Sequence, residues 1–345
     1  MSLPLFDYYP VLKSCIPHLV LANLPTPVER LNIGEQAWIK RDDMTHNEYG
    51  GNKIRKLEFI LAQAILQNKK RIISFGAIGT NHGVATSMLC QQKGLACTVY
   101  LFDQPTSKIV QQNLRLMHHY GADLVYCGSL VSAISHYYLS VARLNQDNYF
   151  LFAGGSNIAG TLGFVNAAFE LKQQIDKGEL PEPDVIICPV GSSATLGGLT
   201  IGCQLAGMKT MVKGIRVAPA YLGPFPACTS SSVLSLMRKT QRYLEKRGVH
   251  ASDEWNRPTL NDEYYGEGYG IATSGGEQAQ ASMLCHGIEL EQTYTAKAAA
   301  AFYDTLRDHQ GDCLYWHTFN SQNMKKQTAQ ASMENFPQEL RELLR

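Results

Sequence analysis

The sequence predicts an α/β protein with mainly parallel sheets, arranged as two packed lobes. Three observations carry this. Short β-branched runs alternate with longer helix-patterned stretches, which is the signature of strand–helix units. The run Val185-Ile186-Ile187-Cys188 is apolar on both faces, as a strand covered by helices on both sides must be. The chain has 345 residues, more than one minimal core needs.

The elements follow in order. Strands are expected at Arg71–Phe75, Cys97–Phe102, Asp123–Cys127, Asp184–Val190 and Leu314–Trp316. Helices are expected at Ile54–Gln67, His82–Gln92, Ser107–Tyr120, Gly160–Ile175 and Ala194–Leu205. Ala218–Cys228, rich in Pro, Gly and small residues, reads as a loop. Gly266–Gly276 reads as a turn or a close approach to a ligand, and the polar stretch Gly248–Glu263 carries no assignable pattern. No repeat, low-complexity tract or linker marks a lobe boundary.

Composition narrows the function classes. Lys plus Arg number 31 and Asp plus Glu 30, a net charge of +1, which gives no basic face for nucleic acid or an anionic membrane. Nine cysteines without a C-x-x-C, and histidines without an H-E-x-x-H, argue against a disulfide framework and a metal site. No apolar run approaches the roughly 20 residues of a membrane span, and the N-terminus has no secretory pattern. A cytoplasmic location is expected.

Four clusters carry chemistry. In Gly50-Gly51-Asn52-Lys53-Ile54-Arg55-Lys56, Lys53 falls at the mouth of a helix. There the dipole and the neighbouring Arg55 and Lys56 disfavour its charge, poising it as a Schiff-base nucleophile. A solvated basic helix start is the alternative. Gly76-Ala77-Ile78-Gly79-Thr80-Asn81-His82 links a strand to a helix, where free N–H groups suit a carboxylate; a plain cap is the alternative. Pro189–Leu199 follows the most apolar strand, and its small residues suit a phosphate. Neither the G-x-x-x-x-G-K-[ST] nor the G-x-G-x-x-G pattern is present. In Glu289–Lys297, Tyr294 is a possible general acid or base, or simply a half-buried tyrosine.

In this order, together with Leu24–Val28, Lys40-Arg41-Asp42-Asp43, Gly154-Gly155-Ser156-Asn157 and Gly268-Tyr269-Gly270, the clusters resemble a known family. It is the pyridoxal-phosphate (PLP) family of 1-aminocyclopropane-1-carboxylate deaminase and D-cysteine desulfhydrase, of the tryptophan-synthase-β-like fold type II. The resemblance implies two open twisted sheets flanked by helices, with the cofactor between two domains. Residues 1–55 and 166–345 would form the larger, PLP-binding domain and 56–165 the smaller one. It implies a homo-oligomer, a dimer, acting on a small amino acid.

The same resemblance implies roles. Lys53 would carry PLP covalently, and Asn81 would bond its ring hydroxyl. Backbone groups of Ser193, Ala194, Thr195, Leu196 and Gly197 would hold its phosphate, with Lys56 nearby. Tyr294 would flank the ring and Thr295 would face the pyridine nitrogen. Thr80, Asn81, His82, Tyr269 and Tyr294 would meet the substrate, with Lys53, Thr80 and Tyr294 catalytic. Threonine at 295, where the deaminase branch is acidic, favours D-cysteine desulfhydrase-like β-elimination to 2-oxo acid, ammonia and sulfide. The deaminase, a serine-type dehydratase or racemase, and a PLP-binding protein with little catalysis are the alternatives. Three departures from the family pattern would touch the substrate pocket or its cofactor wall. They are Gly79 for glutamine, Thr80 for serine, and Phe319-Asn320 after His317-Thr318 in place of Gly-Gly.

Overall fold

Strands rich in buried aliphatic residues build two separate sheets in the computed structural model, which describes residues 3–223, 225–250, 258–331 and 336–343. The larger sheet has the order Val28–Arg30, Ala37–Arg41, Cys313–His317, Val185–Val190, Met211–Arg216, Thr259–Asn261. All its neighbours are parallel except the first pair. Cys313–His317 and Val185–Val190 lie in its middle, and every residue of both is buried. The smaller sheet, Asp123–Gly128, Ala96–Phe102, Arg71–Ala77, Asn148–Phe150, is wholly parallel. The expected α/β class with mainly parallel sheets is what the chain adopts.

All five expected strands and all five expected helices are present, shifted by a few residues at their ends. The loop Ala218–Cys228 contains a small antiparallel hairpin, Tyr221–Leu222 with Phe225–Pro226. The unassigned stretch Gly248–Glu263 falls partly outside the described residues, and its end supplies the edge strand Thr259–Asn261.

Two helices join the sheets. Lys53–Leu66 places Phe59 in the core beneath the larger sheet and Ile60 and Leu61 in the core of the smaller one. Ile158–Asp176 packs against it so closely that a Cβ on Gly163 would lie 2.3 Å from the Arg55 carbonyl oxygen. The boundaries expected at 55/56 and 165/166 therefore fall inside helices. Continuous helical backbone, not a linker, connects the lobes, and for that reason composition shows no boundary.

A buried ionic cluster pins this junction. Arg55 donates to both Asp42 and Glu170; Lys40 donates to Glu170 at 2.6 Å; the Trp316 indole donates to Asp42 at 2.7 Å. Burying these charges is tolerable only because each is paired. The cluster ties the larger sheet to the first turn of Lys53–Leu66 and so fixes where Lys53 stands.

Candidate active site

Lys53 is the first residue of its helix. Gly51 precedes it at φ +99°, and a Cβ there would lie 2.9 Å from the Thr318 carbonyl oxygen, so only glycine fits the approach. The Lys53 ammonium donates to Asn52 Oδ1 at 2.8 Å. Burial pulls it down to about 8, and the Glu291 carboxylate partly offsets that. The cause differs from the expected one, because Arg55 is neutralised by Asp42 and Glu170 and burial dominates.

A cavity opens above Lys53 at the carboxyl ends of strands from both sheets, where α/β folds place ligands. Lys53, Lys56, Thr80, Asn81, His82, Thr195, Tyr269, Tyr294 and Thr295 all line it. So do residues given no role in the sequence, among them Asn52, Ser192 and Glu291, and so does Phe319, where the chain departs from the family pattern.

Thr80 caps the helix Asn81–Gln92, its hydroxyl accepting from the Gly83 N–H at 3.1 Å. The amides of Asn81 and His82 have no acceptor among the described residues and remain free donors. The methyl group of Thr80 lies against Gly83 and Gly76, which leave room for it. Asn81 Oδ1 accepts from Tyr49 Oη at 3.1 Å and Asn113 Nδ2 at 2.8 Å, leaving its amide group for the cavity. Gly79 does not line the cavity. A Cβ there would meet Val110 at 2.7 Å and the Gln104 side chain at 3.1 Å, so that departure from the family pattern points into the protein.

His82 is buried with both ring nitrogens unpartnered. Burial, then Lys53 and Lys56, hold it well below the usual histidine range. Lys56 is buried too. Burial and then Lys53 disfavour its charge, and its ammonium donates to Gly154 O at 3.1 Å and Ser192 Oγ at 3.4 Å.

The helix Ser193–Leu205 starts beside Lys56. Of the five residues expected to hold a phosphate, only Thr195 lines the cavity, with Gly191 and Ser192 ahead of it. The Ser193 hydroxyl turns to Ser232 and the Ala194 amide donates to Ser156 Oγ at 3.2 Å. Leu196 is buried in the core and Gly197, already past the first turn, packs against Met237. The groups left for a phosphate are Gly191, Ser192 and Thr195, with the amides of Ser193 and Thr195, which have no acceptor among the described residues.

Opposite, the Tyr294 ring lies on Gly191, where a Cβ would come within 2.6 Å of it. Its hydroxyl is hydrogen-bonded to that of Tyr269. Burial holds Tyr294 well above the usual range and pushes Tyr269 up to about 12, so both keep their protons. Thr295 opens the helix Thr295–Asp308; its hydroxyl accepts from the Glu291 N–H at 2.8 Å and donates to Glu291 Oε1 at 3.2 Å. Glu291 also accepts the N–H groups of Thr293, Tyr294 and Thr295. Burial nonetheless raises its carboxyl. An acid just ahead of a helix start was the available signal for it.

The family model for pyridoxal-phosphate dependent enzymes matches residues 19–318. The chain belongs to the pyridoxal-phosphate dependent enzyme family. Among solved structures it is similar to an ACC deaminase homologue, at 27% identity over 94% of this chain and 97% of that one, with a TM-score of 0.78. A hydrogen sulfide-producing enzyme from Fusobacterium nucleatum shares the fold at 12% identity, covering 87% of this chain and 94% of that one, with a TM-score of 0.59.

The residues present fit PLP. A buried lysine of lowered pKa suits the aldehyde, and the free Asn81 amide suits a ring hydroxyl. Lys56 and the first-turn amides suit the phosphate. The orphaned nitrogens of His82 are buried polar atoms that a bound group would satisfy. No helix among the described residues is long and apolar enough to cross a membrane.

Proposed function

We propose that this PLP enzyme is a lyase that eliminates a β-substituent from a cysteine-like amino acid, giving a 2-oxo acid, ammonia and sulfide. The observation that carries the reading is Thr295: a neutral hydroxyl, not an acid, stands at the helix start facing the cavity. PLP, when bound, takes up the electron pair freed at the substrate Cα. A neutral partner such as the Thr295 hydroxyl would leave that sink weak, which would favour expulsion of a good leaving group.

The chain's own groups supply the rest. The free amides of Asn81 and His82 hold the substrate carboxylate. The Lys53 amine, neutral in a large fraction near pH 8, removes the Cα proton. The Tyr269–Tyr294 hydroxyl pair, protonated throughout the working range, delivers a proton to the departing group.

Ring opening of 1-aminocyclopropane-1-carboxylate is the second reading, favoured by the Glu291 carboxylate, which lines the cavity and bonds Thr295. Incubating the holoenzyme with both enantiomers of cysteine and with the cyclopropane separates the two. Pyruvate with sulfide supports the first; 2-oxobutyrate alone sinks it in favour of the second.

A further inference from the structure

The cavity has two unlike sides. Its polar groups cluster on the Lys53, Asn81, Thr195 and Thr295 elements. An apolar part of the remaining wall comes from Phe102, Leu130, Phe152, Pro219 and Leu222. Phe102, Leu130, Phe152 and Leu222 belong to one apolar cluster built on Phe75 and Tyr137, with the Phe75 ring 5.1 Å from Phe152 and 4.9 Å from Tyr137. The wall is therefore anchored to the core of the smaller sheet and shaped before any ligand arrives. It carries no charged side chain and no hydrogen-bonding side chain. An unsubstituted cysteine would leave this wall uncovered, whereas a carbon group on its sulfur would be desolvated against four apolar side chains.

We infer that the substrate is a thioether amino acid, an S-aryl or S-arylalkyl cysteine, whose sulfur substituent packs on the Phe102–Leu130–Phe152–Leu222 wall; this rests on the lyase reading above. The step is RS–CH2–CH(NH3+)–COO− plus water giving RSH, pyruvate and NH4+. The Cα–H bond gives its proton to the Lys53 amine. The Cβ–S bond breaks with its electron pair leaving on sulfur, and the thiolate takes a proton from the tyrosine pair. The released 2-aminoacrylate is hydrolysed without any oxidant or reductant. An aryl thiolate, the less basic leaving group, also suits the weak sink that Thr295 provides. Because the wall holds no cation, a second carboxylate on the sulfur substituent is rejected.

The test uses the PLP-loaded enzyme with both enantiomers of cysteine, S-methyl-, S-phenyl-, S-benzyl- and S-carboxymethylcysteine, reading pyruvate. The kcat/KM for S-phenyl- or S-benzylcysteine is expected at least tenfold above that for cysteine and at least tenfold above S-carboxymethylcysteine. A second readout is binding without turnover: by calorimetry, 3-phenylpropanoate binds at least tenfold more tightly than propanoate. Leu222→Ser, on the half-exposed hairpin, and Leu130→Ser each shrink both ratios severalfold. Elimination from cysteine with no gain from the aryl group, or equal binding of the two acids, overturns the substrate class and leaves the lyase reading standing. No elimination from any of these amino acids overturns both.

Discussion

The Tyr49 hydroxyl stands 3.1 Å from Asn81 Oδ1 and donates to it, while Asn113 donates to the same oxygen from 2.8 Å. With both lone pairs taken, the Asn81 amide can present only its N–H groups to the cavity. It is thereby fixed as a donor, the role a cofactor ring hydroxyl requires. Tyr49→Phe combined with Asn113→Leu frees that side chain to turn. PLP is expected to bind about tenfold more weakly, or ~1.4 kcal/mol, close to the effect of Asn81→Leu. Equilibrium dialysis with PLP absorbance measures both variants.

Lys53 should react as a neutral amine well below the usual lysine range. Its ammonium, lowered to about 8 by burial, loses its proton as pH rises through that value. The rate of PLP capture by the apoprotein is therefore expected to climb between pH 7 and 9 and to level off above. A rise continuing past pH 10 would mean that Lys53 is not desolvated.

Burial and then Lys53 hold the Lys56 ammonium well below the usual lysine range, so its charge is disfavoured until an anion arrives. A phosphate beside it restores the charge, so PLP binding at pH 8 takes up a proton that pyridoxal binding does not. Calorimetry in two buffers of different ionisation enthalpy reads the uptake. Lys56→Met should abolish it and weaken PLP by about tenfold or more, while changing pyridoxal affinity little.

Much of this was legible in the sequence and some was not. Strand–helix alternation disclosed ten elements, and two glycines ahead of a helix placed Lys53 at a helix start, because those signals are local. The strand Ala37–Arg41 was invisible because Lys40 reads as surface. It is fully buried, with its charge met by Glu170 from a helix far along the chain. Tyr49 escaped for the same reason, since it acts on a residue 32 positions away. Gly79 looked like a pocket residue by its neighbours in sequence, yet its backbone turns it toward Val110 and Gln104. Direction within a turn is set by tertiary packing, which spacing does not encode.

Glu58 tests the junction between the lobes. It is buried and accepts the N–H groups of Leu21 and Ala22, each at 2.9 Å. Burial outweighs those bonds and raises its carboxyl from 4.5 to about 7. A raised carboxyl destabilises the fold when ionised. The cost is small below pH 4.5, grows between 4.5 and 7, and is complete above 7, at ~3 kcal/mol. Glu58→Gln keeps an acceptor for both N–H groups. It should raise the Tm at pH 8 by several degrees and barely change it at pH 4.5, read by thermal denaturation across that range.

Reduction of the PLP-loaded enzyme with borohydride, followed by proteolysis and mass spectrometry, tests most directly whether Lys53 carries the cofactor. The pyridoxyl mass is expected on Lys53 alone. The adduct on Lys56 or any other lysine, with Lys53 unmodified, would contradict the assignment.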